Sequence, residues 1–207
     1  MFKRNHWQTM FFTIAIGQVV SLIGSSAVQF ALIWWLAEQT ASPMMLGLAG
    51  MVAFLPMTFL SPFAGVMADR YNRKVICITA DLAMGLVAFI YAILLSFNMM
   101  PMWTVLLILG LRGVGGTFQQ PALQSIIPQL VPSDYLLKVN GWMQLMTSGS
   151  FILGPVIGAA LYSVLPLPII LLTDVIGAIF ASGALYLAKI PPLLKKETKV
   201  IGFVRQF

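Results

Sequence analysis

Arg112, Asp81 and Asp174 stand inside long apolar runs of the sequence, where a charge needs a reason. Arg112 lies about ten residues into its run, which at a helical rise of about 1.5 Å per residue is about 15 Å deep. An arginine at that depth costs at least about 2.5–3.5 kcal/mol. Either helix-end carbonyls offset that cost, or the charge faces a cavity, where it binds substrate or tunes a protonatable acid. Asp81 is about six residues from one end of its run, and Asp174 about six from the opposite end of its own. Each could carry a coupling proton or act as a hydrogen-bonding anchor. Gln18, Ser21, Ser25 and Gln29 follow one another at helical spacing and share one face. A polar stripe of this kind turns away from lipid, toward a cavity or a neighbouring helix. Ser150, Gly154, Pro155 and Gly158 combine small residues that allow close backbone approach with a proline that favours a bend. That combination suits a moving helix interface and also ordinary tight packing.

Little else in the chain offers chemistry. Cys77 is the one cysteine, so an intrachain disulfide and a cysteine-based zinc site are excluded. His6, beside Asn5 and Trp7, reads as a solvated interface residue. No nucleophile–base pair is evident, which disfavours an intramembrane enzyme. Of the 207 residues, 59% are hydrophobic and 9% charged, with a mean hydropathy of +0.93. Soluble domains run at about 45–50% apolar and about 25% charged, so a soluble enzyme, a nucleic-acid binder and a disordered tail are all excluded. The net charge of +6 does not rescue nucleic acid as a partner, because the basic residues sit in short clusters between apolar runs.

The elements that must position these side chains are membrane-spanning helices. A bilayer core needs about 20 apolar residues in a helix. Six segments qualify, at 9–37, 44–67, 75–97, 102–119, 140–162 and 168–188. They are continuous rather than alternating, which favours helices over barrel strands. The first is too long for a signal-peptide core of about 7–15 residues and reads as a retained helix. Turn chemistry separates the runs, and the longest break carries Pro121, Pro128 and Pro132, with Ser133 and Asp134 set to cap a short interfacial helix. If the N-terminus is inside, Lys3, Arg4, Arg70, Arg73, Lys74, Lys138, Lys189, Lys195, Lys196, Lys199 and Arg205 all fall on the inner side. Both termini are therefore expected in the cytoplasm. Trp7, Trp34, Trp35, Trp103 and Trp142 fall near helix ends, as interfacial indoles do.

The two halves of the chain match at a constant offset of 93 residues: Gly17 with Gly110, Pro62 with Pro155, Gly65 with Gly158, Asp81 with Asp174. Three spans per unit is an odd number, so the second unit runs in the opposite sense. The expectation is an all-α membrane protein with six transmembrane helices as two inverted three-helix repeats, at about 9–97 and 102–187. Such repeats are typical of secondary transporters. Residues 1–190 then form the bundle and 191–207 a basic cytoplasmic linker.

Three motifs carry a family resemblance. GVMADRYNRK at 65–74 resembles the loop signature between helices two and three of the major facilitator superfamily, with Met67 in place of a leucine and Asn72 in place of a glycine. Asparagine tolerates a left-handed turn, so the same loop geometry is expected. LRGVGG at 111–116 is similar to the fourth-helix motif, with Gly115 where glutamine is frequent. SFILGPVIG at 150–158 resembles the fifth-helix antiporter motif, with Ala159 replacing its last glycine. Gly17-Gln18, the stretch 121–132 and Lys189-Ile190-Pro191 are similar to the macrolide-efflux branch of drug:proton antiporters, a class tied to antibiotic resistance.

The resemblance implies half of a major facilitator fold in the cell membrane, with no cofactor beyond a proton gradient. It implies a gating loop of Gly65, Asp69, Arg70, Arg73 and Lys74, proton coupling at Arg112, and an antiport pathway shaped by Ser150, Gly154, Pro155 and Gly158. It also implies amphiphilic drugs such as macrolides as substrates. Family members have about twelve helices, so a C-terminal six-helix half, or a second copy, is the expected partner. A lipid or metabolite transporter of the same fold, or a membrane scaffold subunit, remains the alternative.

Overall fold

The structure, a computed structural model, describes residues 6–97, 99 and 101–188. Lys3, Arg4, Lys189 and the expected linker at 191–207 lie outside the described residues. Six helices follow in order: α1 (His6–Thr40), α2 (Pro43–Arg70), α3 (Arg73–Ser96), α4 (Thr104–Leu130), α5 (Leu136–Val164) and α6 (Leu167–Leu187). A 3-10 turn at Ser133–Tyr135 joins α4 to α5. α1, α2, α3, α5 and α6 are long and apolar enough to cross a membrane. α4, with 27 residues, is long enough but more polar, since Arg112, Gln119, Gln120, Gln124 and Gln129 interrupt its apolar surface.

Three expectations change. The fourth helix does not stop near residue 119; it runs on to Leu130 with Pro121 and Pro128 inside it. Ala122, Leu123, Ile126, Ile127 and Leu130 give that extension a buried apolar face. Ser133 and Asp134 do not cap a helix. They bond to each other through their side chains, and Pro132 opens the turn. Asn72 is not left-handed: at φ −67° and ψ 109° it is extended, and its side chain accepts the Lys74 N–H at 3.0 Å as the N-cap of α3. The left-handed position is instead Ala41 at φ 46°, just past the end of α1, ahead of Ser42 and the Pro43 that opens α2.

Packing follows the repeat. α1 lies on α5 and α6, α4 lies on α2 and α3, and α3 lies on α6. Exchanging α1–α3 with α4–α6 maps this set of contacts onto itself. Between lipid-soluble helices, dispersion and close approach do the work that water exclusion does elsewhere. Glycines therefore sit where backbones meet: a Cβ on Gly158 of α5 would lie 2.6 Å from the Ala27 carbonyl oxygen of α1. Two apolar clusters close the bundle at its ends. One, at the basic end beside Arg73 and Lys74, includes Phe11, Ile14, Cys77, Ile126 and Leu185. The other includes Leu32, Leu36, Tyr91, Leu109 and Leu171. Gln18, Ser21, Asp81, Arg112, Gln119 and Asp174, buried and polar, lie in a belt between them.

Candidate functional site

The belt holds two polar triads. In the first, Arg112 of α4 forms an ion pair with Asp174 of α6 through Nη1 and Oδ2. Arg112 Nη2 also donates to the Ser25 carbonyl of α1 at 3.2 Å, and the Ser25 hydroxyl donates to Asp174 Oδ1 at 2.6 Å. Both charged side chains are buried. The arginine is thus held mainly by a carboxylate rather than by helix-end carbonyls. In the second triad, Gln18 of α1 donates to Asp81 Oδ2 of α3 at 3.3 Å. Gln119 of α4 donates to Asp81 Oδ1 and, at 3.2 Å, to Gln18 Oε1. Asp81 is fully buried, and no cation touches it among the described residues.

The triads are images of one another under the repeat. The offset of 93 carries Asp81 onto Asp174, Gln18 to the neighbour of Arg112, and Ser26, the neighbour of Ser25, onto Gln119. Along α1 and along α4 the two triads stand seven residues apart, two turns or about 10 Å. Sequence reasoning found both aspartates, the arginine and the α1 stripe. It did not find the pairing of Arg112 with Asp174, and it left out Gln119. The repeat offset was the signal that could have located Gln119.

In front of the triads lies an open-sided cavity of about 490 Å³, walled by α1, α2, α4 and α5, with Met84 of α3 at its back. Ser21, Ser25 and Gln29 of the stripe line it, while Gln18 stays behind the wall with Asp81. α4 adds Thr117, Gln119, Gln120 and Gln124, and α5 adds Asn140, Gln144 and Thr147. Met57, Met84, Met143, Phe54 and Phe151 supply apolar surface. Arg112 is the charged side chain of this wall, and Asp174 behind it balances its charge.

The loop residues lie at the basic end. Arg73 ties three helices there, donating to Ala68 O at 3.0 Å and Ser125 O at 2.7 Å, with Asp69 Oδ1 3.5 Å away. Lys74 donates to the carbonyls of Tyr186 and Ala188 at 3.0 and 2.9 Å, closing the end of α6. This suits a cation near a helix C-terminus. The Asp69 side chain is 77% exposed, and Arg70 is exposed too. Gly65 has open space where a Cβ would stand. On α5, Ser150 donates to the Met146 carbonyl at 2.8 Å. Gly154 packs on Ser26 and Gly158 on Ala27, with Pro155 between them inside the helix. The α5 motif therefore fixes α5 against α1, the helix that carries the polar stripe.

The sequence profile of the Major Facilitator Superfamily matches residues 14–206. Among individual proteins, "Macrolide efflux protein A" of Streptococcus pyogenes is 40% identical over 193 residues, which are 93% of this chain and 48% of that protein. The protein of the same name from Enterococcus faecalis is 38% identical over 143 residues, 69% of this chain and 44% of that one. "Lysophospholipid transporter LplT" of Salmonella enteritidis PT4 is 28% identical over 156 residues, 75% of this chain and 37% of that protein. The chain spans about half the length of the macrolide-efflux relatives it matches.

Proposed function

The chain belongs to the Major Facilitator Superfamily, and from that premise we propose that it forms the N-terminal half of a proton-coupled transporter exporting amphiphilic drugs such as macrolides. The cavity carries this reading. At about 490 Å³ it falls within the roughly 300–1,000 Å³ range of small-molecule sites. Its amides and hydroxyls match the oxygen-rich side of an amphiphile, and its methionines adapt to varied apolar shapes. Relatives named for macrolide efflux support the substrate class. Arg112, Asp81 and Asp174 supply the ionisable groups that proton coupling requires, and rocking of this half against a C-terminal six-helix half gives alternating access. The relative named for lysophospholipid supports a second reading, in which the same cavity takes a lipid.

The same reading places the repeat units at about 9–97 and 102–187, the bundle at 1–190 and a cytoplasmic linker at 191–207. Asp69, with Gly65, Arg70, Arg73 and Lys74, meets the C-terminal half at the cytoplasmic face. In membrane vesicles holding this chain with a C-terminal half, labelled macrolide should leave against its gradient, and a protonophore should abolish the flux. Flux that survives the protonophore overturns the coupling, and lysophospholipid moved in place of macrolide selects the second reading.

Orientation has its own test. Tyr71 is exposed between α2 and α3. A Tyr71→Cys chain in a Cys77→Ser background should resist impermeant thiol reagents added outside intact cells and label after permeabilisation. Ready labelling from outside reverses the orientation.

A further inference from the structure

The two buried aspartates have different surroundings, and we propose a division of labour between them: Asp81 exchanges the coupling proton through the carboxamides of Gln18 and Gln119, while Asp174 is the fixed counter-ion of Arg112. This rests on the reading of the chain as a proton-coupled transporter and names which acid carries the proton.

The argument is one of donors and acceptors. A guanidinium stays protonated, so the charge of Arg112 is balanced by Asp174 only while that carboxylate is ionised. The Ser25 hydroxyl donates to the second oxygen of that carboxylate. Protonating Asp174 would discharge a buried ion pair and leave the Arg112 charge without a counter-charge among the described residues.

A carboxamide carries an NH₂ donor on one side and a carbonyl acceptor on the other. Toward ionised Asp81, Gln18 and Gln119 present their NH₂ groups. When Asp81 takes a proton, its new O–H needs an acceptor. A half-turn of the Gln119 amide supplies one, with the carbonyl oxygen replacing the NH₂ and the Gln119–Gln18 hydrogen bond given up in exchange. Both protonation states are therefore hydrogen-bonded at Asp81 without stranding a charge, whereas protonation at Asp174 leaves the buried Arg112 charge unpaired. Charged and titratable neighbours do not override this. Cys77 stands one turn away on α3, α6 brings Asp174, and α4 brings Arg112, which Asp174 holds. α1 brings none near Gln18, since His6 and Glu38 lie at its ends, and those of α2, Asp69 and Arg70, lie at the basic end. A path for the proton exists as well: Gln119 lines the cavity while Asp81 stands behind it, so the amide that would turn is the one that meets the cavity.

The test uses the purified chain in lipid nanodiscs and pH-difference infrared spectroscopy of the protonated carboxyl C=O stretch. The wild type should show a titrating buried carboxyl band. Asp81→Asn should delete it, and Arg112→Gln/Asp174→Asn should keep it. Gln119→Leu should shift its midpoint, because it removes a donor to the ionised carboxylate. A band that survives Asp81→Asn, or that disappears in the double variant, overturns the proposal, as does the absence of any such band in the wild type. If Asp81→Asn does not elute as a folded species, Asp81→Glu serves instead, and an unchanged band frequency overturns it. Proton-driven efflux retained by Asp81→Asn would remove this assignment and leave the transporter reading intact. A band assigned to Asp81 with efflux indifferent to the proton gradient would do the reverse.

Discussion

Arg112→Ala is expected to abolish proton-driven export and to destabilise the bundle by about 3–5 kcal/mol, the range for breaking a buried ion pair from one side. The loss has a specific origin. Without the guanidinium, Asp174 keeps only the Ser25 hydroxyl, at a position 2% exposed. From the sequence alone, deleting a mid-span charge simply eases insertion. The ion pair changes that expectation, because insertion stays easy while the packed state loses a partner.

Arg112→Ala/Asp174→Ala should therefore be more stable than Arg112→Ala, since it removes the stranded charge along with its partner. A buried pair replaced as a unit is often neutral. Arg112→Lys should rescue only partly, because the guanidinium reaches Asp174 with one nitrogen and the Ser25 carbonyl with another, and an ammonium has no such planar fork. Thermal unfolding in detergent, with vesicle efflux at matched abundance, checks the series. An Arg112→Ala protein with wild-type stability would mean that the pair contributes nothing to the fold.

Six helices, their approximate ends and the inverted repeat were readable from hydropathy, turn residues and the offset of 93. The end of α4 was not, and the reason is energetic. Two interior prolines cost about 3 kcal/mol each. Five apolar side chains from Ala122 to Leu130, all on one helical face, bury themselves in the cluster at the basic end. The larger of them are worth about 1.5–3 kcal/mol each, enough to carry the helix past both prolines. Asn72 shows a similar limit. The residue type permits a left-handed turn, but an extended backbone lets its side chain cap α3, and the cap decides.

In the site, depth was legible and azimuth was not. Counting residues placed Arg112 about ten and Asp174 about six residues in from the same side of the membrane. Whether they face each other depends on how α4 and α6 are rotated against α1, which is set by close contacts such as Gly177 on Ser21 and Gly113 on Ala53.

The same glycine contacts predict opposite signs for one substitution at two repeat-related positions. Gly158→Ala places a Cβ 2.6 Å from Ala27 O and 3.1 Å from Ala27 Cα. Those atoms are helix backbone and cannot turn aside, so α5 must lift off α1. Overpacking of this kind costs about 1–3 kcal/mol. Gly65→Ala, at the matching place in α2, meets nothing within 4 Å, and an alanine in a helix interior gains up to about 1 kcal/mol over glycine. The asymmetry has a structural basis. α2 and α5 are the least enclosed of the five apolar spans, with 11% and 17% of the span buried against 44% for α1 and α6. α5 has turned its glycine face onto α1, whereas the Gly65 side of α2 remains open. If a C-terminal half closes on that side, Gly65→Ala should lower transport while leaving the thermal midpoint of this bundle unchanged or raised. Gly158→Ala should lower both. Unfolding midpoints for the two variants decide the packing argument: a neutral Gly158→Ala or a destabilising Gly65→Ala would refute it. Efflux at matched abundance then reports whether the open face of α2 is one that transport uses.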